Sequence, residues 1–245
     1  MDFKIIEFKS FQQSSWDNLF EQLEGPLHNY TWNNLNYYSA YKNIKNISFT
    51  IFCENQLIAL IPFAVNSKSK KLNFSFGNNL IFSPIFSQKV TTSLRKKVYD
   101  YVFKFLKKKF NLTRLKIDVQ VSPIYFENNK VKISSKNQFE LIQFSKNYTV
   151  HNTLIVDLKK KEEELLSDMS KYHRRNINKT SKIKNLEFKI LNYKNPKNLI
   201  IEKFNKFRKY HKISAGKITR PKQTWEIMLK KIYDNEADLF YLVLD

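Results

Sequence analysis

The chain has 245 residues, 42% of them hydrophobic and 15% aromatic, which is the composition of a globular protein and not of a disordered one. Its 43 Lys and Arg against 22 Asp and Glu give a formal net charge of +21, which favours anionic partners. Cys53 is the single cysteine, so the chain has no intrachain disulfide and no cysteine-based zinc site.

The sequence has no segment that resembles a leader or a membrane span. Residues 1–11 carry four charges and no apolar block, unlike a signal peptide. The longest strongly apolar stretch, residues 57–65, is far shorter than the ~20 residues that cross a bilayer. We therefore expect a soluble, cytoplasmic protein with no integral membrane segment. With only three glycines, the chain contains neither a G-x-G-x-x-G motif nor a Walker A loop.

In the first half, the spacing of apolar residues predicts three helices, a hairpin and several strands. The helices are expected at 15–24, from Thr31, and at 88–109. The hairpin covers 47–65, with a buried second strand at 57–65. Further strands are predicted at 71–76, 80–82, 112–119 and 139–144.

The second half alternates strands and helices. Strands are predicted at 151–158, 186–191 and 239–245, and helices at 161–182, 196–212 and 221–233. Pro221 suits a first helical turn, where a missing N–H costs nothing. The chain stops within an apolar strand, so we expect the natural protein to continue beyond Asp245.

This alternation of helices with mixed strands predicts an α/β (α+β) architecture in two halves of similar element order. We place the first lobe at residues 1–150 and the second, incomplete lobe at residues 151–245. No sequence repeat is visible between the two.

Positive charge is concentrated in one segment of the second half. Residues 171–222 contain 17 basic side chains against only two acidic ones, and they include four of the six arginines. Guanidinium groups are well suited to bidentate recognition of phosphate or carboxylate.

A basic stripe is predicted on the helix over 161–182. Lys171, Arg175, Lys179 and Lys182 fall on one face, and Arg174 lies beside them. Like charges this close repel each other, so an anionic ligand is a reasonable compensation. The functional interpretation is that Arg174, Arg175 and Lys179 hold phosphates; the alternative is a solvated face.

Two histidines are candidate site residues. His173 adjoins the basic stripe, and His211 shares a helix face with apolar residues at 200, 204 and 207. For each, the alternative is a structural role. The spacing of His and carboxylate residues suggests no metal site, and no G-x-S-x-G elbow of a hydrolase is present.

The run LIVDLKKKEEELLSDMSKYHRRNINKTSK at residues 154–182, followed by LEFKIL and FRKYH, resembles the start of the C-terminal half of the Fem-type (FemAB) aminoacyltransferases. The aromatic segment at residues 32–41 and the sequence IALIPF at residues 58–63 are similar to the N-terminal lobe of that family. These proteins belong to the GNAT-like acetyltransferase superfamily, and the resemblance covers most of the chain.

The resemblance implies tandem GNAT-like lobes and transfer of an acyl or aminoacyl group to an amine of a cell-envelope or polysaccharide precursor. The donor would be acyl-CoA or aminoacyl-tRNA, with no permanently bound cofactor, and the acceptor amine would attack the activated carbonyl directly. It also implies that Trp32, Tyr37 and Tyr38 line an acceptor cleft; the alternative, from their helical spacing, is that these aromatic side chains belong to the core. The sequence singles out no catalytic group, and the GNAT pyrophosphate loop would lie after Asp245.

Two other hypotheses fit the charge. In the first, the chain is a non-catalytic nucleic-acid-binding protein whose segment 171–222 follows phosphates, with tyrosines for base stacking. In the second, the same charges attach the protein peripherally to an anionic membrane.

Overall fold

A computed structural model describes residues 2–23, 30–65, 72–73, 84–87, 89–111, 117–121, 124–127, 130–133, 147–150, 156 and 158–244. The chain divides into two compact units. The first comprises residues 1–153 and 220–227, and the second comprises residues 154–219 and 228–245. Within the described residues the fold is mixed α/β, as the sequence predicts.

The first unit combines helices with short strands. Its helices are α1 (Gln13–Glu21), α2 (Trp32–Lys42) and α3 (Thr92–Phe110). Its strands are β1 (Phe3–Glu7), β2 (Lys45–Asn46), β3 (Phe49–Cys53), β4 (Gln56–Ile61), β5 (Ala64–Val65), β6 (Leu72–Asn73), β7 (Ile85–Phe86), β8 (Ile117–Val121), β9 (Ile124–Glu127), β10 (Lys130–Ile133) and β11 (Asn147–Val150).

These strands form two larger sheets and a hairpin. An antiparallel sheet has the order β1-β3-β4-β7, and a mixed sheet has the order β11-β8-β6-β5-β2. In the mixed sheet, β8 runs parallel to both β6 and β11. The hairpin pairs β9 with β10.

The predicted hairpin is confirmed as β3 and β4, joined by a turn in which Glu54 and Asn55 both have positive φ. The pairing register shifts along it, because Ala59 faces Ile51 whereas Leu57 faces Phe52, leaving Ile58 as the extra residue of a β-bulge.

Strand β4 lies between two apolar clusters. Ala59 and Ile61 belong to one cluster, together with the inner face of α3, while Leu60 belongs to the other, together with side chains of α1 and α2. Because side chains alternate along a strand, a strand with cores on both faces needs a continuous apolar run. That requirement explains the sequence at residues 57–61.

Side-chain caps set where two helices begin. Helix α1 starts two residues before the predicted Ser15, because Gln12 and Ser15 form a reciprocal capping box in which the Gln12 N–H donates to Ser15 Oγ at 3.1 Å. Helix α3 starts four residues later than predicted, because Thr91 Oγ1 accepts from the Leu94 N–H at 3.3 Å.

The second unit contains α4 (Glu162–Asp168), α5 (Lys171–Thr180), β12 (Leu186–Leu191), α6 (Lys197–Ala215) and β13 (Leu239–Leu244). Helix α7 (Lys222–Tyr233) belongs to the first unit as far as Ile227 and to the second unit from Met228. Strands β12 and β13 pair antiparallel along their full length. The predictions for β12, α6, α7 and β13 are confirmed to within a few residues.

The single helix predicted at 161–182 is wrong, because the structure has two helices there. Met169 is extended, with a ψ of 152°, and the Ser170 side chain caps α5 by accepting from the His173 N–H at 3.4 Å. A serine that accepts from the backbone favours a helix start over a helix interior. The break at Met169 and Ser170 therefore divides the predicted helix into α4 and α5.

One face of the β12–β13 sheet is exposed. Phe188, Ile190, Phe240 and Leu242 lie on it with exposed fractions between 49% and 61%, and the Phe188 and Phe240 rings stack at 5.5 Å. Leu191, on the opposite face, is buried. Only one face of this sheet is therefore covered by the described residues of the unit.

Some predicted strands fall outside the described residues. These are the strands at 80–82 and 139–144, together with parts of those at 71–76, 112–119 and 151–158. Within the last of these, Val156 is irregular and Leu158 lies in a turn, so the strand prediction is wrong at both. Among the described helices, none is long and apolar enough to cross a bilayer.

Glu7 links β1 to α3, because its carboxylate pairs with the Lys109 ammonium at 2.5 Å. This hydrogen bond is the main reason that the pKa of Glu7 lies below its ordinary value. A carboxyl whose pKa is depressed in the folded state stabilises the fold above its unfolded pKa. That stabilisation is lost as the pH falls through the folded pKa.

We therefore expect Glu7→Gln to lower the free energy of unfolding at pH 7 by about 0.5 kcal/mol, the scale of a partly exposed ion pair. The difference from the parent should shrink as the pH falls below ~4. Urea unfolding at pH 7 and pH 3.5 measures this difference in the free energy of unfolding. Glu21→Gln, at an exposed glutamate, serves as control. An equal loss at both pH values would contradict this assignment.

Candidate functional site

A cationic and aromatic cluster in the first unit is the strongest candidate site. Tyr37 and Tyr41 are four residues apart on α2, so they share a helix face, and their rings stack at 6.0 Å with an angle of 10°. The guanidinium of Arg220 lies 5.4 Å from the Tyr41 ring centre and 5.9 Å from that of Trp225. Its Nη1 donates a hydrogen bond to the Tyr37 hydroxyl.

Local structure places each member of this Arg220 cluster. Helix α2 begins after its N-cap, Thr31, and ends at Lys42, before the C-cap Asn43, which has positive φ. Arg220 precedes Pro221, and a residue before proline is restricted to extended backbone. The chain then enters α7, where Trp225 is 7% exposed. The cluster is thus anchored on two helices.

The surroundings of Tyr37 and Tyr38 favour the neutral form of each phenol. Burial raises the pKa of Tyr37, an effect that Arg220 opposes and Tyr41 reinforces. Burial also raises the pKa of Tyr38, with a further contribution from Tyr37. At neutral pH, Tyr37 therefore accepts from Arg220 and still carries its own hydroxyl proton.

This arrangement is suited to binding an anion. A guanidinium has five N–H donors in a fixed fork that matches phosphate or carboxylate, and the Tyr37 hydroxyl adds an O–H donor beside it. Contact with two aromatic rings orients the guanidinium by cation–π attraction. A phosphate or carboxylate at this point would accept charge-assisted hydrogen bonds, the stronger class.

Trp32 and Tyr38, both predicted to line a cleft, also lie on α2. Each is half-buried against the apolar cluster that contains Leu60. The Trp32 ring stacks on Phe8 at 4.1 Å, and its backbone N–H donates to Asp17 Oδ1 at 2.8 Å. Tyr38 meets Tyr37 edge to face at 5.3 Å. Both residues thus have packing roles, and Tyr38 borders the Arg220 cluster.

The predicted basic stripe lies on α5 and just beyond it. Lys171, Arg175 and Lys179 are exposed on this helix, and Lys182 lies in the turn that follows. Arg174 has a structural contact, because its Nη1 donates to the Ser167 carbonyl oxygen at 2.9 Å and so connects α5 to α4. The side chains available to an anion on this helix are therefore Lys171, Arg175 and Lys179.

The two candidate histidines lie in the second unit. His173 is exposed in the first turn of α5, with its ring 5.7 Å from that of Tyr172. His211 is half-buried on α6, where Nδ1 lies 3.4 Å from Thr219 Oγ1 and the ring lies 6.2 Å from Phe207. Within the described part of the chain, no group of three His, Cys, Asp or Glu side chains could hold a metal ion.

The sequence pointed to Tyr37 as a cleft residue and to Arg220 as one of the arginines in the basic segment, but it did not predict that the two side chains are in contact. The two residues are 183 positions apart, and Arg220 appeared only as one charge in a basic segment. The available signal was the sequence Arg220-Pro221 before a helix, together with tyrosines spaced four apart on α2. Neither feature identifies the other as its partner.

Comparison with known proteins supports the fold. The chain is similar to the crystal structure of FemX, with a TM-score of 0.57 and 12% sequence identity. The similarity covers 100% of this chain and 58% of the FemX chain, so this chain spans little more than half of that protein's length. No protein-family model matches the sequence, and no curated protein matches it. The expected Fem-like fold is therefore confirmed.

The contact between Arg220 and Tyr37 can be tested by titration. Since the guanidinium charge favours the phenolate, Arg220→Ala should raise the pKa of Tyr37 further. NMR of ¹³C-labelled tyrosine follows this titration, with Tyr37→Phe identifying the resonance. The exposed Arg175→Ala serves as control and should leave the Tyr37 titration unchanged. A Tyr37 pKa that does not respond to Arg220→Ala would contradict the contact.

Proposed function

We propose that this protein is a cytoplasmic transferase that moves an acyl or aminoacyl group onto an amine of a cell-envelope or polysaccharide precursor. The observation that carries the proposal is the Arg220 cluster, an anion-binding arrangement within a fold similar to that of FemX. The sequence motifs resemble the Fem-type aminoacyltransferases, and the similar structure is also named as a Fem protein, so the two lines of support agree.

The Arg220 cluster is proposed to bind the acceptor. Precursors of this class carry phosphate groups, and the fork of Arg220 with the Tyr37 hydroxyl matches phosphate oxygens. The Tyr41 ring, 37% exposed, offers an apolar surface beside the charge. Binding through a remote phosphate positions the acceptor amine, and positioning alone can supply much of a rate enhancement.

The chemical step requires no group beyond the two substrates and a proton acceptor. The acceptor amine attacks the donor carbonyl carbon, and a C–N bond forms. The C–O bond of an aminoacyl-tRNA ester, or the C–S bond of an acyl-CoA thioester, then breaks. The amine loses a proton, and the departing oxygen or sulfur leaves with the electron pair of the broken bond.

The exposed cations of α5 are proposed to attract the donor. Lys171, Arg175 and Lys179 stand on one short helix, and both candidate donors, CoA and tRNA, are polyanions. His173 lies in the same helical turn as Lys171. Attraction of this kind is screened by salt, so the donor must also be recognised by contacts that salt does not weaken.

Calorimetric titration with acetyl-CoA and with charged and uncharged tRNA, at low and physiological salt, identifies the donor class. We expect saturable binding that survives physiological salt, either to CoA or selectively to charged tRNA. Binding only to any polyanion, with a steep loss in salt, would contradict the transferase and favour the nucleic-acid-binding protein.

Arg220→Ala tests the acceptor site. Loss of charge-assisted hydrogen bonds to a phosphate should raise the KM for a phosphorylated acceptor about tenfold or more, with a smaller change in kcat. Arg220→Lys should be intermediate, because it keeps the charge and loses the fork. The matched control is the same acceptor without phosphate, whose KM should not respond. Equal effects on both acceptors would contradict phosphate binding at Arg220.

A further inference from the structure

Exposed apolar side chains are concentrated in the second unit. Among the side chains that the structure describes, every exposed large hydrophobic residue except Tyr41 belongs to that unit. The unit is also strongly basic, since residues 203–219 contain six Lys and Arg and no acidic residue. Cations and exposed apolar groups thus occur together on this part of the chain.

Helix α6 presents both kinds of side chain to solvent. Its inner face buries Ile200 and Phe204, which are 0% and 3% exposed. At about 100° per residue, Ile213 lies on the side of the helix opposite Phe204, and it is 64% exposed. Tyr210, one turn before Ile213, is 65% exposed. These apolar groups therefore do not belong to the core side of the helix.

Lysines accompany these residues. Lys209 is one turn before Ile213 on the same outer face and is exposed. After the left-handed cap at Gly216, Lys217 and Ile218 follow, and Ile218 is 76% exposed. We call Lys209, Tyr210, Ile213, Lys217 and Ile218 the α6 patch. Lys206 is not included, because it pairs with Glu202 at 2.8 Å.

We infer that the α6 patch is a docking surface for the face of an anionic phospholipid bilayer. Lysines near such a surface are attracted by its negative potential, while tyrosine and aliphatic side chains enter the boundary between headgroups and acyl chains. Charge complementarity identifies the partner, because the charged members of the patch are both lysines and residues 203–219 contain no acidic side chain. The net charge of +21 adds a favourable long-range field.

The aliphatic residues favour a bilayer over a nucleic acid. A base can stack on Tyr210, but Ile213 and Ile218 have no aromatic face to offer it. Burying aliphatic side chains in the acyl boundary removes apolar area from water, which is favourable in proportion to that area. Two isoleucines placed among lysines therefore match a lipid surface better than a phosphate backbone.

Co-sedimentation with vesicles tests the inference on the full chain. At physiological salt, we expect it to bind vesicles of phosphatidylcholine with 30% phosphatidylglycerol and not vesicles of phosphatidylcholine alone. Each lysine near an anionic surface contributes about a fivefold factor, so Lys209→Ala with Lys217→Ala should lower partitioning about 25-fold. The matched control is Lys104→Ala with Lys108→Ala on α3, also a pair of exposed lysines, which should lower it much less.

A second pair separates insertion into lipid from simple attraction of charge. Ile213→Ser with Ile218→Ser should lower partitioning about fivefold or more and leave binding to heparin unchanged, because heparin offers no acyl boundary. Melting curves verify the fold of each variant, and Tyr210→Ser provides an alternative apolar change. No binding to anionic vesicles would overturn the inference. Equal losses of vesicle binding from the two lysine pairs would also overturn it. So would a parallel loss of heparin and vesicle binding in the variant with Ile213→Ser and Ile218→Ser. The assay measures no transfer, so its result is independent of the proposed function.

Discussion

The first unit depends on one strand that is buried on both faces. Strand β4 pairs with β3 and β7 and separates two apolar clusters, so α3 packs on one side while α1 and α2 pack on the other. Consecutive side chains of a regular strand point to opposite faces, but the bulge at Ile58 interrupts this alternation. Ile58 and Ala59 can therefore both pack into the cluster that contains α3. The position of α2 follows from the strand, since Leu35 is fully buried in the cluster that also contains Leu60. The rings of Tyr37 and Tyr41 are therefore placed by the core, two residues and six residues beyond Leu35.

The Arg220 cluster combines groups whose electrostatic preferences oppose each other. Burial disfavours the charged form of Tyr37 and raises the pKa of its phenol, whereas the nearby guanidinium favours the phenolate and lowers it. Burial prevails, so the phenol remains a neutral donor beside a permanent cation. Two rings face the guanidinium, which is more weakly hydrated than an ammonium and so loses less when it is partly withdrawn from water. A lysine at residue 220 would keep the charge but not the planar fork that both the rings and an anion can use.

Sequence reasoning succeeded where local pattern decides the structure and failed where a distant or a polar partner does. The hairpin β3–β4, the amphipathic α3 and the separate strands β12 and β13 follow from the apolar period, and the structure has all of them. The break between α4 and α5 was missed because a serine cap at Ser170 outweighs the helical spacing of the apolar residues around it. The strand order of the mixed sheet, in which β8 lies between β6 and β11, depends on contacts that no local pattern encodes. The contact between Arg220 and Tyr37 was not predicted for the same reason, because the two residues are 183 positions apart in the sequence.

The charge of a segment is a poor measure of its capacity to bind an anion, because its members serve different purposes. In residues 171–222, Arg174 holds a backbone carbonyl, and Lys206 and Lys203 both pair with Glu202. Arg220 and Lys222 belong to the first unit, whereas the rest of the segment up to Thr219 belongs to the second. The segment therefore supplies cations to both units, and several of them already have partners within the protein. Its charges separate into an oriented arginine among aromatic rings, suited to one anionic group, and exposed lysines on helices, suited to an extended surface. Binding at the arginine depends on the geometry of its hydrogen bonds, whereas binding at the lysines depends on how many charges face the partner. Salt should therefore weaken binding at the lysines far more than binding at the arginine.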